Sequence, residues 1–408
     1  MKHATNSNGR LEDQADPAQG LIPATRLAQH SRTAHVAGTI AATALTLAAG
    51  AVTPTVNGLR DATYGEARAI QTVQTGFGDA APPADPSGSE LDAAYGVIRA
   101  GRLYLMFTGN LERNFNLLDI FIDSRPGGEN ILSLTPQYDG GYNAPAGPYR
   151  SPVLGGMRFD AAFFADYHLF ARWGNDGGID TPLEVTFVSR GGGAAAQVPA
   201  SRAGTIVTVA TSAVGSVPAG NFAPNASASA LSQPLFMAIN NINALGVTAG
   251  SAASNAAAAT AVNSGIEFSI SLADLGAASA FDNIRVVAML NGSGHNYLSN
   301  QVLPGVPAPR TNLGGDGTGS FTGSLSGINF AGIGGTQYFT VYTCHGDLND
   351  DGVVDDDDFQ IFAKAYNILL CADPSMPAGC SADLNDSGTV DDLDFQIFIG
   401  AYNDLVCP

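Results

Sequence analysis

Along the middle of the chain, apolar residues alternate with small or polar ones in short runs broken by Gly, Asn and Pro. AYGVIRAG (94–101), RLYLMFTG (102–109), LLDIFIDS (117–124), YHLFARW (167–173), LEVTFVS (183–189), TIVTVAT (205–211), GIEFSISL (265–272), IRVVAML (284–290) and YFTVYT (338–343) each read as a strand. Helical spacing is almost missing from this region. Many short strands with turn signals between them predict a mainly β protein built as a large antiparallel β-sandwich, jelly-roll-like, over 71–343. Residues 191–264, rich in Ala, Gly, Ser and Asn, read as long decorated loops around few strands.

The pattern changes near the C-terminus. GDLNDDGVVDDDDFQIFAKAYN is followed 36 residues later by ADLNDSGTVDDLDFQIFIGAYN, and the first repeat places seven Asp in the twelve positions 347–358. Charge repulsion alone would expand such a stretch. Counting from Asp347, side-chain oxygens fall at position 1 (Asp347), 3 (Asn349), 5 (Asp351), 9 (Asp355) and 12 (Asp358), with Gly352 at 6 and Val353 offering a carbonyl at 7. The second loop repeats this with Asp383, Asn385, Ser387, Gly388, Thr389, Asp391 and Asp394. Alternate inward oxygens around a glycine turn suit Ca²⁺, which takes six to eight hard oxygen ligands. Two ions are therefore expected. Neutral Ser387 predicts a weaker second site, and Asp at position 12 is shorter than the usual Glu. Val354 and Val390, at position 8, are expected to pair the two loops through a short β contact. After each loop, Phe359, Phe362 and Tyr366, then Phe395, Phe398 and Tyr402, recur at i, i+3 and i+7 and predict a short helix with one apolar face. No helix is predicted before either loop.

A calcium loop with an exiting helix and no entering one, twice over, resembles the type I dockerin module. The resemblance covers 346–403 and implies a cohesin-like or other surface protein as partner for a module at 344–408. Dockerins often carry Ser-Thr at loop positions 10 and 11. Here Asp356-Asp357 and Asp392-Leu393 stand there, so the cohesin-recognition code does not carry over. In the middle region, RLYLMFTGNLE with NLLDIFIDS, and GIEFSISLADLG with IRVVAMLNGSG, are similar to DOMON and family 9 carbohydrate-binding β-sandwiches. The whole arrangement looks like that of secreted, dockerin-bearing planctomycete proteins.

All four cysteines lie in or against the module. Cys344–Cys407 and Cys371–Cys380 is the expected pairing of the three that four cysteines allow, and a zinc site is the competitor, without C-x-x-C spacing in its support. Disulfides argue for an oxidising compartment. VAGTIAATALTLAAGAVT (36–53) is uncharged, with Ala-x-Ala at Ala49–Ala51. It predicts an export signal with a long leader over 1–51 and a linker at 52–70, an uncleaved anchor being the alternative. The expected location is secreted, periplasmic or cell-surface.

Charge sharpens this picture. Of the net −19, a local −13 lies from Cys344 onward, where 14 Asp face one Lys, and there is no basic surface for nucleic acid. No G-x-S-x-G, H-E-x-x-H or phosphate loop occurs. The carboxylates Asp119, Asp123, Glu129, Asp160, Asp166, Glu184, Glu267 and Asp274 fall in no hydrolase phrase; Asp160 and Asp166 read as turn or N–H acceptors. His168 reads as a packed strand histidine, and His295 as a loop residue without a partner in sequence. Carbohydrate binding uses aromatic platforms, so the single tryptophan, Trp173, is a candidate for ligand contact as well as for the core, and Tyr138, Tyr142 and Tyr149 could contact sugar. The expected function is a non-catalytic exported protein: a sandwich that binds glycan or another surface component, attached through a calcium-dependent module. A secreted glycoside hydrolase carrying a dockerin and a structural envelope protein are the alternatives.

Overall fold

The computed structural model describes residues 53–79, 88–133, 153–176, 179–180, 182–190, 201–206, 212–217, 231–243, 245–276, 283–342, 346–349, 351, 353–377, 380–385 and 387–404. The expected export signal, Gly352, Tyr138, Tyr142, Tyr149, Cys344 and Cys407 lie outside them. Among the described residues no helix is long and apolar enough to cross a membrane.

The protein is mainly β, with two antiparallel sheets. In one, β1 (Ala69–Ile70), β2 (Glu90–Arg99), β3 (Arg102–Asn110), β11 (Gly265–Ser271), β10 (Leu235–Asn240) and β9 (Ser212–Val217) lie side by side in that order. In the other the order is β13 (Leu298–Leu303), β12 (Ile284–Asn291), β4 (Asn114–Asp123), β5 (Tyr167–Asp176), β7 (Pro182–Ser189) and β8 (Ser201–Ile206). β14 (Phe339–Val341) joins β12, and β6 (Ile179–Asp180) joins β5. A six-residue helix, α1 (Ala256–Ala261), is started by Asn255, whose side chain accepts from the Ala257 and Ala258 amides. The segment 191–264, expected as long loops around few strands, contains β8, β9 and β10. Their runs, SRAGTI, SAVGSV and LFMAIN, show little polar alternation.

Alternation sorts the strands onto two faces. Leu118, Ile120 and Ile122 of β4 and Ile266, Phe268 and Ile270 of β11 share one core between the sheets. The opposite faces are covered as well. Tyr64 joins Tyr95, Tyr104 and Met106 over the first sheet, while Phe121, Val287 and Met289 meet Phe159, Phe163, Leu313 and Phe330 over the second. Burial on both faces explains why β2 is apolar or small at so many consecutive positions. At Gly109, φ is +133° and a Cβ would fall 2.2 Å from the Glu90 carbonyl oxygen, beside the register shift between Leu91 and Ala93. Only glycine fits that bulge.

Within the expected linker at 52–70, residues 53–70 are instead folded onto the first sheet. Buried Glu267 accepts from the Asn57 amide (2.8 Å), the Gly58 amide (2.9 Å) and the Tyr64 hydroxyl (2.7 Å). A carboxylate removed from water is stable only when its lone pairs are filled, and this one recruits the N-terminal segment to fill them.

Asp92 of β2 is a buried carboxyl of this sheet. Burial pushes its pKa up to about 8, against the opposing hydrogen bond from the Val247 amide. A raised folded pKa means that its contribution to stability is fully present below about pH 4 and is lost as pH rises towards 8. Asn243 Nδ2 is shared among Glu90 Oε1, Asp92 Oδ2 and the Leu245 carbonyl, three acceptors for two protons. Asp92→Asn therefore leaves Asn243 paired with Glu90 and the Leu245 carbonyl. It is expected to raise stability at pH 8 by about 1–3 kcal/mol and to leave it nearly unchanged at pH 4, measured by urea unfolding at both values.

Candidate functional site

The two aspartate-rich loops share the backbone hydrogen bonds made by their positions 1, 3, 5 and 12. At position 12, Asp358 Oδ1 accepts from the Leu348 and Asn349 amides (2.7 and 3.0 Å) and its Oδ2 from the Asp355 amide (2.9 Å). In the second loop Asp394 accepts from Leu384, Asn385 and Asp391 in the same way (2.7, 3.1 and 2.8 Å). At position 1, Asp347 and Asp383 each accept the amide of position 5 at 2.9 Å, and at position 3 Asn349 and Asn385 accept that same amide at 2.9 and 3.0 Å. Asp351 Oδ1 takes the Val353 amide at 3.0 Å, and Ser387 Oγ takes the Thr389 amide at 3.3 Å. Gly388, at position 6, has φ +84°, the left-handed turn for which glycine is favoured.

These bonds also start the helices that follow, α2 (Asp356–Ile368) and α3 (Asp392–Asp404). Asp355 caps α2 by accepting from Asp357, with Asp358 completing the reciprocal capping box. Position 12 thus serves the local backbone as well as any ion. A carboxylate has about four lone-pair sites, so three amide bonds leave room for one further contact. Burial raises the Asp358 pKa, against its backbone hydrogen bonds.

The helices pack through Phe362 and Phe398, stacked at 4.9 Å and 24°, over buried Val354 and Val390. Asp392 accepts from the Tyr366 hydroxyl, and Asp356 from that of Tyr402, so the residues at position 10 tie each loop to the opposite helix. The expected β contact between Val354 and Val390 is not the one formed. The second loop pairs instead with the chain leaving α2, through the Leu370–Thr389 bridge and the Val390 amide to the Leu369 carbonyl (2.7 Å). Close helix packing sends both valine side chains into the core. Arg99 of β2 lies 3.5 Å from Asp347 and ties the first loop to the sheet region.

Cys371 and Cys380 form a disulfide with a Cα separation of 5.4 Å, closing the turn between the repeats. Loop-closure entropy for so short a ring is worth about 2–3 kcal/mol. The double variant Cys371→Ser/Cys380→Ser should lose that much, read as a lower urea midpoint for the helical far-UV signal.

Trp173 is a correction. It is fully buried between the sheets, and its indole N–H donates to the Leu111 carbonyl. Strand alternation turns its ring inward, so it offers no face to a sugar. Asp123 and Asp166 sit near an open cleft of about 380 Å³ lined by Asp123, Ser124, Arg125, Phe164, Asn283 and Arg285, among others. Asp123 accepts from the Phe164 amide (3.1 Å) and pairs with Arg285 (3.2 Å). Asp166 accepts from the Ser124 and Arg125 amides (2.9 and 3.0 Å). Burial raises both pKa values, against those hydrogen bonds. Both carboxylates are holding backbone, and Asp160 does the same for the Gln337 amide.

One cluster escaped the sequence reading. Asp119 of β4, His168 of β5 and His295 of the turn between β12 and β13 converge beneath the covering layer of the second sheet, all buried. His168 Nε2 is 3.0 Å from Asp119 Oδ1, and His295 Nδ1 is 2.9 Å from the same oxygen. Asn291 Nδ2 donates to Asp119 Oδ2 at 3.1 Å. Phe121 stacks on the His168 ring at 4.3 Å, and Phe170 meets His295 edge-on at 4.8 Å. Burial lowers the His168 pKa to about 4, against its bond to Asp119. Burial alone would raise the Asp119 pKa, but His295 and His168 together hold it below the ordinary carboxylate value. The signal that could have found this site is thin: an Asp and a His in apolar strands, and a His in a Gly-rich turn.

No protein-family model, curated protein or solved structure matches this chain.

Proposed function

We propose that this is an exported, non-catalytic attachment protein in which a jelly-roll-like β-sandwich is joined to a protein partner through a dockerin-like module at 344–408 that holds two Ca²⁺ ions. The observation that carries this reading is the duplicated loop, whose two copies repeat one hydrogen-bond pattern although position 5 is Asp in one and Ser in the other. The donor set fits calcium: Asp347, Asn349, Asp351, Asp355, Asp358 and the Val353 carbonyl in the first loop, and Asp383, Asn385, Ser387, Asp391, Asp394 and the Thr389 carbonyl in the second. The ions supply the positive charge that lets so many carboxylates lie together. The cleft beside Asp123 is the glycan-binding candidate on the sandwich, because Phe164 exposes an aromatic ring beside Asn283 and Arg285. The carboxylates there are committed to backbone and arginine, which favours binding over hydrolysis.

Calcium titration of the full-length, oxidised protein by calorimetry tests the module. Two binding events with a gain of helix support the reading; a calcium-independent module with no heat of binding overturns it. A glycan panel tests the sandwich: binding lost in Phe164→Ala supports the cleft, and turnover of any glycan favours the hydrolase instead.

A further inference from the structure

Beyond the calcium loops, we infer that Asp119, His168 and His295 form a binding site for one borderline-soft divalent metal ion, of which zinc is the best match, locking the 292–297 turn onto the second sheet. Three donor atoms converge, all within 4.8 Å of one another: His168 Nε2, His295 Nδ1 and Asp119 Oδ1, with both nitrogens within 3.0 Å of that oxygen. A tetrahedral ion held at about 2.0–2.1 Å by each ligand sets those ligands roughly 3.3 Å apart. The two N···O pairs therefore need only a few tenths of an ångström of opening to reach that spacing. Two imidazoles and one carboxylate are a borderline donor set, suited to Zn²⁺ and poorly to Ca²⁺, which prefers oxygen throughout.

The backbone of the turn supports the assignment. His295 is a non-glycine residue at φ +52°, in a turn closed by its own amide donating to the Gly292 carbonyl (2.9 Å). Such backbone costs of order 1 kcal/mol or more, and it aims the ring at Asp119. Among the described residues, His168 Nδ1 and His295 Nε2, the nitrogens turned away from Asp119, have no hydrogen-bond partner, so contact on the Asp119 side alone fixes both rings. Without an ion, the Asp119 carboxylate is held in an apolar layer by the two imidazoles and Asn291 alone. The neighbouring cation Arg190 is already paired with Glu129 at 3.0 Å. A divalent ion compensates the anion directly and gives the two imidazoles a common purpose. The site is sealed under Phe121 and Phe170, so its role is structural.

The test uses the full-length protein supplied with zinc, then dialysed against a calcium-selective chelator to clear the acidic loops. Metal analysis should show one equivalent of zinc per chain, retained in Asp347→Ala/Asp383→Ala and lost in His295→Gln. Thermal unfolding of wild type should move upward on adding zinc, and that of His295→Gln should not. If His295→Gln fails to fold, cobalt(II) titration of the wild type decides. Paramagnetic shifts of the His168 and His295 ring signals that saturate at one equivalent uphold the site. Zinc lost on dialysis, unshifted rings or zinc retained by folded His295→Gln would overturn it.

Discussion

If the second loop holds the proposed Ca²⁺, Asp394→Ala should abolish its binding event and melt α3. The side chain accepts three amides, those of Leu384, Asn385 and Asp391, and is itself fully buried. A buried donor left without an acceptor costs about 1–3 kcal/mol, less where water reaches it. Leu384 is buried, whereas Asn385 and Asp391 are half-buried, which brings the total to about 3–5 kcal/mol. A unit of this size rarely has more than about 3–5 kcal/mol of stability from its core. Far-UV circular dichroism with calcium present should show the loss of helix, and calorimetry should retain at most one binding event. Asp394→Asn separates the two roles. Its remaining oxygen still accepts the Leu384 and Asn385 amides, so helix should persist while calcium affinity falls at least tenfold, a loss of about 1.4 kcal/mol or more. An Asp394→Ala protein with two undisturbed binding events would refute the assignment of this side chain.

The second large effect is expected at Glu267→Ala, far from the loops. Three groups lose their acceptor at once: the Asn57 and Gly58 amides and the Tyr64 hydroxyl, whose ring is almost wholly buried. Removing the acceptor from a buried network of this kind costs about 3–5 kcal/mol. Release of the segment at 53–68 should bare the aromatic face formed by Tyr95 and Tyr104, so faster proteolysis within 53–68 should accompany a lower denaturant midpoint. Glu267→Gln should fall between, since one amide oxygen replaces two carboxylate oxygens. Burial raises the Glu267 pKa, against the hydrogen bonds from Tyr64, Gly58 and Asn57. Its favourable contribution is thus present below the ordinary value of 4.5 and fades as pH rises through the folded one. Glu267→Gln should flatten that part of the pH profile. An unchanged midpoint in Glu267→Ala would mean that the segment behaves as the linker its composition suggests.

What was legible in the chain is what local chemistry decides. The loop oxygens at positions 1, 3 and 5, the glycine turn at Gly388 and the helix start at Asp392 all lie within twelve residues of one another, so spacing alone places them. The Cys371–Cys380 turn is local in the same sense, with a separation of 9 residues. Long apolar strands such as RLYLMFTG and LLDIFIDS were equally readable although both their faces are buried, whereas LSNQVL was not, because its buried Asn300 and Gln301 are spent on hydrogen bonds to the backbone at 73–76.

Sequence alone determined the β character, the acidic repeat and its exit helices. Tertiary structure alone decided which carboxylates hold backbone, that Trp173 faces the core, and that the N-terminal segment is clamped by Glu267 from 209 residues away at Gly58. It also brought His168 and His295 to Asp119 across 49 and 176 residues. The physical reason is that a side chain's partner across a sheet is set by strand order and register, and these follow from how both faces of each sheet are covered. No spacing along the chain encodes that covering.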